Sequence, residues 1–167
     1  MGLRTKRRLV TLMLAWTFSA VLAQEPVVTG SRVAPELMGS YVTGPFTIEE
    51  IALMIPELGK DDICGNTGTF IMDLRAGGWS LNNYPMPGCT GWNPALMGSW
   101  RVLRNNVLEI QELVDLGCGP AAYTYNWQLD GDTLTLTALN DPCTARIYFF
   151  TARPWRKVPN GAQPQFQ

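Results

Sequence analysis

The sequence predicts an all-β protein, an eight-stranded antiparallel up-and-down barrel with one short helix. Three observations carry that expectation. Tyr123 to Leu129 and Thr133 to Leu139 alternate apolar and polar residues on either side of Asp130-Gly131, a strong hairpin signal. Further alternating segments recur along the chain at fairly even spacing, mostly joined by hairpin-length turns. Cys118 and Cys143 stand at the two outer ends of the Asp130-Gly131 hairpin, where its strands come back together. A β-sandwich is the alternative, because turn spacing alone does not separate the two.

Residues 1–23 read as an export signal. Arg4, Lys6, Arg7 and Arg8 precede the apolar run Leu9 to Leu22, and Val21-Leu22-Ala23 offers a cleavage site before Gln24-Glu25-Pro26. Residues around Arg7-Arg8 fit a twin-arginine signal poorly, so ordinary export to a secreted or periplasmic location is expected. Removing this segment leaves nine Lys and Arg against fourteen Asp and Glu, a net charge of −5. An acidic chain with no basic run argues against nucleic acid and, once the signal is gone, against anionic membranes. The roughly 144 remaining residues suit one domain with a real core, expected as a monomer.

Residues 24–35 look like a loose leader, 36–157 the barrel and 158–167 a frayed tail rich in Pro, Gln, Asn and Gly. Within the barrel the first strand spans Gly39 to Phe46. Thr47 to Leu58 is the helix: Thr47 caps it, Glu49-Glu50 occupy the first turn, Pro56 ends it, and Ile48, Ile51, Leu53, Met54 and Ile55 supply an apolar face. Strand two, Thr67 to Leu74, puts Phe70, Met72 and Leu74 on one face. Gly77-Gly78 turns into strand three, Trp79 to Asn82. A proline-rich loop leads to strand four, Gly98 to Leu103, and Asn105-Asn106 turns into strand five, Val107 to Leu113. Strands six and seven form the hairpin above, and Ala145 to Trp155 is the eighth strand.

An even cysteine count in an exported chain reads as two disulfides, with three pairings open to sequence alone. The meander narrows the choice. Connections after strands one, three, five and seven share one rim, and they hold Cys64, Cys89, Cys118 and Cys143 in turn. Neighbouring loops favour Cys64–Cys89 and Cys118–Cys143, each closing a loop of about 25 residues worth roughly 3 kcal/mol in the chain-entropy view.

The chain contains no histidine, which removes His-dependent triads, His metal ligands and His-ligated haem. Glu109 and Glu112 lie on opposite strand faces, so they form no paired-carboxylate site. Asp130-Gly131-Asp132 reads as turn chemistry rather than a calcium loop, and the cysteine spacings fit no zinc pattern. No enzyme activity, cofactor or metal is expected. Strand parity gives the candidate lining: Phe70, Met72, Trp79, Trp100, Tyr123, Tyr125, Trp127, Leu134 and Leu136. The expected function is binding of a small hydrophobic or amphipathic ligand in this cup, oriented by Tyr hydroxyls and Trp N–H groups. The same lining would equally serve as a packed core. The alternative is a protein-binding module, such as an inhibitor of an extracellular enzyme, that presents Trp92 on the stapled, proline-stiffened loop. Arg146 shares a strand parity with Tyr148 and Phe150, and the pattern leaves its face unassigned.

Gly98-x-Trp100, Leu108, Ile110, Cys118, Tyr125-x-Trp127, Leu129 to Leu136, Asp141-x-Cys143, Arg146 and Pro154-Trp155 together resemble secreted bacterial lipocalin-like, calycin-type barrels. The resemblance covers roughly residues 38–157 and is strongest over 98–157. It implies a first-strand Gly-x-Trp whose indole is covered by an Arg from the chain's end. Here Gly39-Ser40-Tyr41 stands at that place, and Arg153 or Arg156 is the candidate cover.

Overall fold

The computed structural model describes residues 33–89, 96–113, 118 and 122–159. Eight antiparallel strands close into a barrel in simple meander order: β1 (Gly39–Phe46), β2 (Gly68–Arg75), β3 (Gly78–Tyr84), β4 (Leu96–Leu103), β5 (Val107–Glu112), β6 (Tyr123–Asp130), β7 (Thr133–Asn140) and β8 (Trp155–Val158). The signal segment and most of the leader lie outside the described residues, as does Trp92. Pro35–Leu37 forms a 3-10 turn that leads into β1.

Alternation does what parity requires. Tyr41, Phe70, Met72, Leu74, Trp79, Trp100, Val102, Leu108, Ile110, Tyr123, Tyr125, Leu134 and Leu136 are buried, and their strand neighbours are more exposed except Ser40 and Ile71, which are buried too. Tight turns gather at one end. Asn105 and Asn106 take φ of 60° and 57°, and Gly131 takes 55°, the left-handed pair-and-glycine geometry of two-residue hairpins. Leu37 and Ala34 are fully buried beneath this end, and Tyr41 Oη donates to Leu37 O at 3.1 Å.

The cover over the first strand is neither Arg153 nor Arg156. Lys157 Nζ lies 5.6 Å from the Tyr41 ring centre. The lysine stem passes so close to Gly39 that a Cβ there would meet Cε at 2.6 Å. Arg153 instead stacks over Phe46, 4.7 Å from its ring, and bonds to Glu50 and Pro45 O.

The other end is built differently. It carries two helices after β1, α1 (Ile48–Met54) and α2 (Lys60–Gly65), and a third, α3 (Thr144–Thr151), between β7 and β8. α1 opens on the expected cap: Glu50 N donates to Thr47 Oγ1 at 3.2 Å, and Thr47 N donates back to Glu50 Oε2 at 2.9 Å. The expected helix ends before Pro56 as read, and α2 is a second helix beyond the expected span, in a stretch where no helix was expected. The apolar residues of the expected helix also divide. Ile51 and Ile55 are buried, whereas Ile48, Leu53 and Met54 face solvent.

The eighth strand requires the larger correction. Ala145 to Trp155 is not one strand: most of it is α3, and the strand that closes the barrel is only Trp155–Val158. Spacing explains the difference. Arg146, Phe149 and Phe150 stand at i, i+3 and i+4 and are all buried, a helical stripe that a strand would split between its two faces. β8 then pairs with β1 from Ser40↔Val158 to Val42↔Arg156 and with β7 at Thr133↔Arg156 and Leu134↔Trp155.

Both disulfides pair neighbouring loops, Cys64–Cys89 and Cys118–Cys143, each across 25 residues and all at the helical end. They fit an oxidising extracellular or periplasmic compartment.

Gly98 sits on the inner face of β4, where the Trp79 indole crosses it to reach Gln111 O at 3.2 Å. A Cβ at Gly98 would stand 1.8 Å from Gln111 O and 2.7 Å from Trp79 Nε1. Gly98→Ala is therefore expected to cost about 3 kcal/mol in urea unfolding, the upper range for overpacking. Gly131→Ala meets open space and only a strained φ, and should cost about 1 kcal/mol.

Candidate functional site

The expected lining comes together as one aromatic interior. Phe70, Met72, Trp79, Trp100, Tyr123, Tyr125, Leu134 and Leu136 are each at most 5% exposed, and Trp127 packs against them half-buried. Two rings from α3 complete it. Phe150 lies within 6.4 Å of Trp79, Tyr123, Tyr125 and Trp155, stacked on Tyr125 at 5.4 Å. Phe149 meets Phe46 at 5.5 Å and Phe70 at 5.0 Å. α3 thus closes the stapled mouth from within.

The polar tips expected to orient a ligand are committed to the protein itself. Trp100 Nε1 donates to Arg75 O at 2.7 Å and Gly78 O at 3.0 Å, binding its strand to the β2–β3 turn. Trp79 Nε1 serves Gln111 O, Tyr123 Oη donates to Glu112 Oε1 at 2.8 Å, and Tyr125 Oη donates to Asp141 Oδ2. Among the lining residues, Trp127 Nε1 is buried with no hydrogen-bond partner.

Behind these tyrosines lies a buried ionic cluster. Arg146 on α3 forks onto Asp141, with Nη2 to Oδ1 at 2.7 Å and Nε to Oδ2 at 2.9 Å, and reaches Glu112 at 3.4 Å. The three side chains are 7%, 0% and 4% exposed. The guanidinium also lies 3.7 Å over the Tyr123 ring. Asp141 Oδ1 accepts from Cys143 N at 2.9 Å, which ties the cluster to the start of α3 and to the Cys118–Cys143 staple. Burial alone would lower the Arg146 pKa, but the Asp141 hydrogen bond and the surrounding negative groups hold it raised and charged.

This cluster has the form of a structural clamp. The guanidinium's donors are occupied, and burial, followed by the neighbouring carboxylates, pushes both tyrosine pKa values far up. The sequence reading did not single out Glu112, although strand parity is the signal that could have found it, since it is in phase with the inward Leu108 and Ile110. An acid at an inward strand position needs a cation, and Arg146 supplies it.

At the opposite end a concavity of about 490 Å³ is lined by Met38, Gly39, Ser40, Asp73, Leu74, Arg75 and Ala76. Its polar groups satisfy one another: Ser40 Oγ donates to Asp73, which also pairs with Arg75 at 3.4 Å. A neighbouring hollow of about 370 Å³ is lined by Met38, Gly39, Asp132, Lys157, Val158 and Pro159. Both lie outside the barrel lining.

The apolar side chains left in water are not evenly spread. Among the described residues seven large hydrophobics are exposed, and six stand at the stapled end: Ile48, Leu53 and Met54 on α1, Met97 at the start of β4, Leu113 just past β5 and Leu139 near the end of β7. Only Val33 lies elsewhere. Met97 and Leu113 are joined across the β4–β5 pair by Leu113 N to Met97 O at 3.0 Å. Singly scattered surface hydrophobics are ordinary; these six share one end of the barrel.

Arg146→Met should cost about 3–5 kcal/mol in chemical unfolding, because it strands Asp141 and Glu112 without a cation. An alkaline titration followed by tyrosinate absorbance reads the same interior. Burial, followed by the negative Asp132, pushes the Tyr41 pKa from 10.0 to about 12, and Tyr123 and Tyr125 are raised further. A raised folded-state pKa means that the fold holds the neutral hydroxyl. That stabilisation is complete below pH 10 and is lost as pH climbs toward and past 12. The three buried tyrosines should ionise together with unfolding, and their titration one by one near pH 10 would contradict this packing.

No protein family, no curated protein and no solved structure gives a match to this chain, so what it is rests on its own geometry: a closed eight-stranded antiparallel barrel, consistent with a lipocalin-like fold.

Proposed function

We propose that this is a secreted, lipocalin-like barrel that acts as a protein-binding module, without catalysis, and that its contact surface is the stapled end. The observation that carries the reading is the gathering of six exposed hydrophobics at that end. Two properties support it. The inward side chains together with Phe149 and Phe150 form one hydrophobic cluster, which favours a packed core over a ligand cup. The two staples and the α1 capping box fix the segments that carry the exposed residues, so little conformational freedom is lost on docking.

A small hydrophobic or amphipathic ligand is the second reading, favoured by one observation: the buried, unpartnered Nε1 of Trp127 would suit an acceptor on such a molecule. A lipophilic fluorescent probe separates the two. The rim reading expects no saturable binding and no quenching of Trp100 or Trp127. It also expects Leu53→Ser with Leu113→Ser to weaken capture of a protein partner at least about tenfold while leaving the melting temperature within a few degrees, since both side chains are exposed. Saturable probe binding near one equivalent, with partner capture unchanged in the variant, would place function inside the barrel instead.

A further inference from the structure

The α1–α2 elbow combines its exposed apolar side chains with a one-sided charge. Glu49 and Leu53 are i, i+4 neighbours on the side of α1 opposite the buried Ile51, and Ile48 and Met54 flank them. Leu53 is 77% exposed. On the adjoining segment Glu57, Asp61 and Asp62 are exposed too, and Lys60 is the only cation between Thr47 and Asn66. The remaining acid, Glu50, is held by Arg153 and closes the capping box. Four exposed carboxylates therefore share residues 49–62 with the exposed Leu53 and Met54, with one lysine among them.

The elbow is also held rigid. Arg153 ties it to Pro45 O and Glu50, Cys64–Cys89 pins α2 to the β3–β4 connection, and Asn66 N and Nδ2 cap α2 on Asp62 O.

We infer that the α1–α2 elbow docks a basic protein, one that offers an apolar recess for Leu53 and Met54 within a positively charged rim. The inference rests on the rim reading above and names the chemistry of the partner. Charge complementarity selects this occupant over the others. An anionic lipid surface is repelled by Glu49, Glu57, Asp61 and Asp62, and a second copy of this chain, acidic once the signal is removed, would bring like charges together. A cationic surface gains from all four carboxylates before contact and from Leu53 and Met54 after it.

The test uses the mature protein against a panel of purified secreted proteins, half strongly basic and half acidic, with equilibrium binding measured on immobilised panel members. Binding is expected among basic members only. It should weaken about tenfold or more between about 0.05 and 0.5 M salt, as for a steered, partly screened interface. The charge reversal Glu49→Lys/Glu57→Lys/Asp61→Lys/Asp62→Lys should weaken it to a similar degree, and Leu53→Ser/Met54→Ser at least tenfold. All six side chains are exposed, and an unchanged circular dichroism melt confirms that each variant is folded. Binding that is lost in Leu53→Ser/Met54→Ser but indifferent to salt, to charge reversal and to the sign of the panel member would overturn the basic partner and leave the rim reading in place. Binding untouched by either variant would overturn both. Failure of every basic member to bind would overturn the inference.

Discussion

The burial of Arg146 between Asp141 and Glu112 is the interaction on which the rest of this molecule turns. A guanidinium out of water is tolerable only where its donors are met, and here a bidentate carboxylate, a second carboxylate and a tyrosine face all meet it. Those partners come from β5, β6 and the β7–α3 connection, so satisfying one cation draws four pieces of chain to the same point. It also orients α3. With Arg146 turned inward, helical spacing turns Phe149 and Phe150 inward as well, and the barrel mouth is filled. The shape of the molecule, closed inside and varied outside at one end, follows from that single placement.

Most of this architecture was legible in the residues because strand periodicity is a strong signal. Parity in Phe70-x-Met72-x-Leu74 or Tyr123-x-Tyr125-x-Trp127 assigns inward and outward faces without further information, and a meander then determines which cysteines can meet. α3 was hidden for a physical reason. Ile147, Tyr148, Phe149 and Phe150 favour strands by intrinsic propensity, and the tertiary contacts of Arg146, Phe149 and Phe150 are what make the helical stripe worth more. The short β8 was hidden with it. Of the expected strand only Trp155 lies in β8, which runs on to Val158, and its four residues suffice because β1 and β7 supply the partners on both sides. Lys157 was missed as the cover of Tyr41 for a related reason: the register of β8, not the charge of a side chain, decides which residue reaches the ring.

The candidate site was less legible than the fold. The residues expected to line the barrel are buried together, but their polar tips serve the protein's own backbone and carboxylates. Sequence gives the position of an aromatic side chain on a face; it does not give the partner of its donor atom. Likewise, Leu53 and Met54 read as part of a core-facing stripe beside Ile51 and Ile55. In a helix of two turns only one side can be covered, and the capping box with Arg153 settled which side that is.

The two ends of the barrel differ in how they are held together, and the difference bears on function. At the tight end short turns, the 3-10 turn and Tyr41 hold the structure without a covalent cross-link. At the other end longer connections leave more chain to order, and both disulfides are spent there. Cross-links at this end limit the freedom of the segments that carry Ile48, Leu53 and Met54 in the free protein as well as in a complex. Exposed apolar residues on a mobile loop would have to be ordered at each encounter, at about 0.5–1.5 kcal/mol for each rotamer-rich side chain and more for the backbone. On a capped helix beside a stapled one the backbone share of that cost has already been met in folding, so the apolar area covered on contact contributes more fully to affinity.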